Sequence, residues 1–372
     1  MYSVLPLIVY VLKEYNFSSI VLFLLYLLSF IPGCIFSAYM KLDYLPLWYL
    51  YNFFLFTLPM VVKIKYRLRN HFYMNNSNIL GLGLLLSVFI IFIWLFYAHG
   101  RINLSLDDVY SIRMEARSYN MPRLISYIQA SMKIIVPVFV VWALIQKKYL
   151  IVVVFSFVQI LNYFIDGSKS TLFSLFLSFF AYILVRNHPK RILDIPKYIS
   201  LFGIIAIIEF AFFNSFVITG LFIRRVMFVP NFLNIRYFDF FSNNTPDFYR
   251  GSLLKIIGVK SPYGSIARMI GAVYSGSDTL AANNGLFSDA YANLGWIGVI
   301  VLPFAIILLL KFIDVYAKDL NIELLIGAAV PFTIAMISAS YFTLFLTHGV
   351  IAIVFVFYFL PRENGSQIKS LN

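Results

Sequence analysis

The sequence predicts an all-α polytopic membrane protein, and three observations predict it. Of 372 residues, 61% are hydrophobic and only 12% are charged, with a mean hydropathy of +0.86. A water-exposed domain of that length needs far more polar cover. Several apolar runs approach or exceed the roughly 18–20 residues that cross a hydrocarbon core. No alternating short-strand pattern suggests a β-barrel.

The runs fall at 17–39, 45–62, 78–98, 123–145, 149–165, 171–185, 198–219, 294–312, 323–340 and 344–360. The opening MYSVLPLIVYVL lacks the basic start and cleavage site of a signal peptide and is read as a short further span. That makes about eleven transmembrane helices in one membrane domain, 1–372. KIKYRLRNH (63–71), QKK (146–148) and RNHPKR (186–191) are dense in Lys and Arg, which places them on the cytoplasmic side. Alternation then puts two longer connections outside: 99–122, and 220–293 with room for short helices of its own. The turn DGSKS (166–170) falls outside with them, and the tail PRENGSQIKSLN inside. Cys34 is the single cysteine, so no internal disulfide forms.

The net charge of +13 is read as loops that set orientation in membrane lipid, so no nucleic-acid partner is expected. The outer loops are nevertheless basic too, and richer in Arg than in Lys. The positive-inside rule does not count long loops, so topology leaves these charges unexplained. Arginine's planar fork suits carboxylate or phosphate, which points to an anionic ligand on the outer face.

Arg224 and Arg225 directly follow an apolar run. An interfacial anchor explains such a pair, since arginines snorkel at helix ends. Arg236, Tyr237, Asp239, Asp247, Tyr249 and Arg250 follow among many phenylalanines. That layout suits a ligand with a greasy tail, an anionic joint and a polar head. In the earlier loop, DDVYSIRMEARSYN (107–120) sets Arg113 and Arg117 four residues apart. On a helix they share a face, where an anion or a carboxylate such as Glu115 relieves their repulsion. FIDGSKST (164–171) is no P-loop, because the Gly–Lys adjacency and upstream glycine are missing. Lys169 there sits just before Thr171, which opens a helix whose N-terminus favours an anion, or is simply a surface lysine beside an N-cap. His71, His99, His188 and His348 are scattered, and the neighbouring Asp107 and Asp108 are a weak metal signal. No metal and no cofactor are expected.

NNGLFSDAYANLGWIGVIVLP (283–303) re-enters the membrane. With RRVMFVP, IRYFDFFSNNTPDFY, DVYSIR, GSKST and the many-helix layout with two outer loops, it resembles the Wzy-type O-antigen polymerases, the oligosaccharide repeat-unit polymerases. The resemblance spans most of the chain, and its combination of loose motifs carries it. No match to the O-antigen ligases is evident, since 220–293 contains no histidine.

What the resemblance implies is a membrane glycosyltransferase of GT-C-like fold in the bacterial inner membrane, its site facing the periplasm or cell exterior. Its substrates would be undecaprenyl-diphosphate-linked oligosaccharides, and its partners a chain-length regulator and a flippase. Diphosphate binding falls to Arg225 first, then Arg224, Arg113, Arg117 and Arg236, with Lys169 auxiliary. Asp239 and Asp289 become base or sugar-binding candidates, with Asp247 behind them. Asn283, Asn284 and Tyr291 would bind sugar hydroxyls, unless Tyr291 belongs to the aromatic belt. A flippase of lipid-linked oligosaccharide is the alternative. It requires cations lining a path through the helices, where Lys133 and Glu209 are the charges inside apparent spans.

Overall fold

The computed structural model describes residues 15–40, 44–62, 74–102, 109–217, 219–277, 280–283 and 285–362. The segment 1–12 lies outside them. Among the described residues the chain is all-helical. Seven helices among the described residues are long and apolar enough to cross a membrane, and three shorter apolar helices accompany them.

In chain order the helices are α1 (Phe17–Met40), α2 (Leu45–Val61), α3 (Asn76–Phe96), α4 (Val109–Ser118), α5 (Arg123–Ile145), α6 (Tyr149–Asp166) and α7 (Lys169–Val185). Then come α8 (Ile195–Phe213), α9 (Val229–Ser242), α10 (Ile266–Ser275), α11 (Leu286–Ala317), α12 (Ile322–Ser338), α13 (Tyr341–Leu346) and α14 (Val350–Phe359). Asn16 caps α1 by accepting from the Ser19 amide at 2.8 Å. Tyr26–Phe30 is a π-helical stretch within α1.

The apolar α12 sits at the centre, against α1, α5 and α7. Gly327 allows its closest approach: a Cβ there would lie 2.8 Å from Val141 Cγ2, and its carbonyl accepts from Ser178 Oγ at 2.9 Å. Small residues at crossings are how helices pack where lipid gives no hydrophobic drive. Phe17 locks the centre, its ring 5.6 Å from Phe332 and 5.5 Å from Phe357. By contrast α8 is exposed along nearly its whole length, as an apolar helix bathed in lipid would be.

Contacts between helix ends sort into two sets. At one end Ser18 meets Asp314, the Met74 amide donates to Phe359 O, and Asn76 donates to Gln146. At the other, Arg101 binds Phe164 O and Glu115, and the Tyr341 amide donates to Asp289. Every pairing joins ends that strict alternation assigns to the same side.

Three boundaries differ from the sequence expectation. The 220–293 connection opens as helix, a π-helical stretch Thr219–Phe228 running into α9. The helix expected from 294 starts at Leu286, because the polar SDAYAN stretch is helical but buried by the loop. It is kinked at Gly295, whose φ of 59° and ψ of −143° suit glycine alone. Finally, the span expected at 344–360 is broken into α13 and α14, with Gly349 (φ 80°) starting α14.

Candidate functional site

The second end of the bundle is built around the start of α11. Gly285 precedes it against the Ile337 carbonyl, where a Cβ would come within 2.3 Å. Asp289 follows in the first turn, buried. One carboxylate oxygen accepts from the Tyr341 amide at 2.9 Å and the other from Asn293 Nδ2 at 3.0 Å. Asp289 thereby ties the α13 N-terminus to α11. Asn293 passes the link on, its side-chain oxygen accepting from the Tyr249 amide at 3.0 Å.

The segment Thr219–Ser242 lies alongside. Its α9 half packs on α11: Ser288 Oγ donates to Asn234, and the Phe238 and Tyr291 rings sit 4.9 Å apart. Tyr291 is buried between Phe238 and Phe287, a packing role rather than a sugar-facing one. Tyr237 is also buried and donates to Ala282 O at 2.8 Å; burial raises its phenol above the ordinary value, so it stays a donor.

Arg236 is engaged. Its guanidinium stacks 4.2 Å over Phe232 and 5.3 Å from Tyr274, and it donates to Tyr274 O and Ser275 Oγ, both at 3.1 Å. Asp239, exposed, accepts from the Tyr274 hydroxyl. Burial and the Asp239 carboxylate raise the Tyr274 phenol. Arg236 and Asp239 together staple α9 to α10.

Asp247 is fully buried and likewise structural. It accepts from the Gly251 amide at 2.7 Å and Ser261 Oγ at 2.5 Å, while its own amide donates to Ala292 O at 2.9 Å.

Arg224 and Arg225 stand apart from these. Both are exposed on the π-helical stretch, and neither forms an ion pair with a described residue. That stretch packs on the second half of α1, α8 and α9, and Phe228 lies 6.2 Å from Phe36. Arg113 and Arg117 sit on α4, which packs on α6. Glu115, expected between them, pairs with Arg101. Lys169 begins α7, half-buried, next to the Ser168–Ser170 hydroxyl contact of 2.7 Å. Asn283 is exposed just before α11, and Asn284 lies outside the described residues.

The spacing along Thr219–Ser242 constrains chemistry. At about 1.5 Å per residue, Asp239 lies about 20 Å along the axis from Arg225, and Asn234, level with Ser288, about 14 Å. Along this segment Arg225 and Asp239 are therefore set well apart, with Asp289 on the neighbouring α11. The segment presents two exposed arginines, Arg224 and Arg225, towards its start and polar groups further along.

No protein-family model, curated protein or solved structure matches this chain.

Sequence reasoning missed Tyr341, Asn234 and Tyr274. The small polar SAS (338–340) that breaks two apolar runs was the available signal for the first. The other two are ordinary residues in an aromatic-rich stretch, which pattern alone does not single out.

Proposed function

We propose that this protein polymerises lipid-linked oligosaccharide repeat units, transferring a growing glycan from undecaprenyl diphosphate to a new lipid-linked unit. The observation that carries the proposal is the exposed Arg224–Arg225 pair, free of ion pairs with described residues and set on a helical stretch between the lipid-facing α8 and the polar end of the bundle. An anion with a prenyl tail fits that boundary: tail along α8, diphosphate on the guanidinium groups, glycan along α9.

In the transfer, the acceptor hydroxyl oxygen bonds to the donor's anomeric carbon as the bond from that carbon to the diphosphate oxygen breaks. The hydroxyl proton passes to a base, and undecaprenyl diphosphate leaves. Negative charge grows on the departing diphosphate, so fixed guanidinium groups stabilise the transition state more than the ground state. Asp239, exposed and further along α9, is suited to sugar hydroxyls. Asp289 positions the α11–α13 junction. Arg113 and Arg117 belong to α4, which packs on α6.

Transport of the same lipid-linked glycan is the second reading, and Lys133 and Glu209 bear on it. Lys133 pairs with Asp166 at 2.7 Å. Glu209 accepts from Ser215 Oγ and the Val217 amide, closing the end of α8. Both intramembrane charges are thus engaged locally rather than lining a path, which favours the enzyme. The test is purified protein with single lipid-linked repeat units in proteoliposomes, with products run on a glycan gel. A ladder of longer glycans is expected; unit translocation without any ladder would replace this proposal with the flippase.

A further inference from the structure

The sequence SLLKIIGVKS (252–261) forms an aliphatic tip on the long loop. Ile256 and Ile257 are 79% and 75% exposed, with Leu253 and Val259 also exposed. Lys255 and Lys260 flank them, both exposed. Two adjacent isoleucines turned to water are an association hazard unless something apolar covers them.

The base of this tip is rigid. Asp247, buried, holds both of its ends through the Gly251 amide and Ser261 Oγ. Backbone bonds run across the tip, from Leu254 N to Tyr249 O at 3.0 Å and from Val259 N to Leu254 O at 3.2 Å. A fixed stalk under a bare apolar end suits insertion into a surface.

The stalk's height identifies that surface. The Asp247 and Phe248 amides donate to Ala292 O and Asn293 O, just before the Gly295 kink. Immediately beyond the kink, Trp296 (62%) and Ile297 (50%) are exposed where the polar SDAYAN stretch gives way to a continuous apolar run. Trp at such a level marks the interface between lipid and water. The tip leaves α11 at that level, and its two lysines complement anionic headgroups.

We propose that residues 253–259 insert into the bilayer beside α11, with Lys255 and Lys260 on anionic lipid headgroups, so that lipid itself fixes the loop's position. The inference rests on the membrane-spanning bundle and holds whether or not the protein polymerises glycans.

Cys34 is buried, so a nitroxide can be attached selectively to an Ile256→Cys variant in nanodiscs containing phosphatidylglycerol. Collisions with dissolved oxygen should exceed those with a water-soluble nickel chelate. An Asn243→Cys label, exposed in the same loop, should show the reverse. An Ile257→Cys label repeats the reading should the first variant fold poorly. Nickel reaching 256 and 257 as freely as 243 would overturn the proposal. Replacing each lysine by glutamine should weaken insertion roughly fivefold in these nanodiscs. No change in either lysine variant would overturn the headgroup contact.

Discussion

The two ends of the segment Thr219–Ser242 carry the same kinds of residue and use them differently. At its far end Arg236 and Asp239 are engaged by Phe232, Tyr274 and Ser275. At its near end Arg224 and Arg225 are exposed and free of ion pairs with described residues. An arginine already stacked and hydrogen-bonded holds the fold together, and recruiting it for a ligand would break those contacts. An arginine kept in the open at a lipid boundary remains available to bind. Occupancy, more than residue type, separates the two ends.

The largest expected effect tests that separation directly. Arg224→Ala/Arg225→Ala should lower polymerisation of lipid-linked units roughly 100-fold or more, the scale of losing a group that stabilises transition-state charge. Membrane insertion and heat stability should be unchanged. Arg225→Lys should remain impaired where two-pronged contact to phosphate matters. Full-length glycan from the double variant would remove the near end from the site.

Second in size are the buried carboxylates. Asp247→Ala leaves the Gly251 amide and Ser261 hydroxyl without their acceptor and frees both ends of the tip. Hydrogen bonds to a charged group contribute about 1.5–3 kcal/mol each, so the loop should become protease-sensitive under native conditions. Asp289→Ala should instead loosen the α11–α13 junction, with cleavage near Tyr341. Unchanged proteolysis in both variants would show that neither carboxylate organises its loop.

The all-helical fold and most apolar helices were legible in the sequence, because hydropathy over a long window reads burial in lipid directly. The start of α11 was not. Ser288, Asp289 and Asn293 read as loop, yet loop residues and α13 bury them and complete their hydrogen bonds. The candidate site was legible only as a list of residue types. That Arg236 is engaged while Arg225 is open depends on where Tyr274 and Phe232 fall in space. The helical continuity of 219–242, which sets Asp239 far from Arg225, was hidden because the sequence places that stretch in a loop.

Next comes Arg236→Ala, which should act as a fold variant. Losing the stack on Phe232 and two hydrogen bonds should cost about 1–3 kcal/mol, lowering the detergent denaturation midpoint and activity together. Activity lost with an unmoved midpoint would show that the far end, too, binds ligand, and would erase the contrast between the two arginine groups.

The smallest change sharpens the comparison most. Tyr274→Phe keeps the ring that Arg236 faces and removes only the hydroxyl donated to Asp239. The exposed carboxylate can then turn to water, so the stability change should stay below about 1 kcal/mol. A carboxylate that binds sugar hydroxyls must nonetheless be held in place, and a freed Asp239 loses that orientation. The Michaelis constant for the lipid-linked unit should therefore rise while kcat stays near its original value, since the exposed Arg224 and Arg225 are untouched. If kcat fell instead, Asp239 would have to reach the reacting centre, and the helical distance separating it from Arg225 would have to close in the substrate complex.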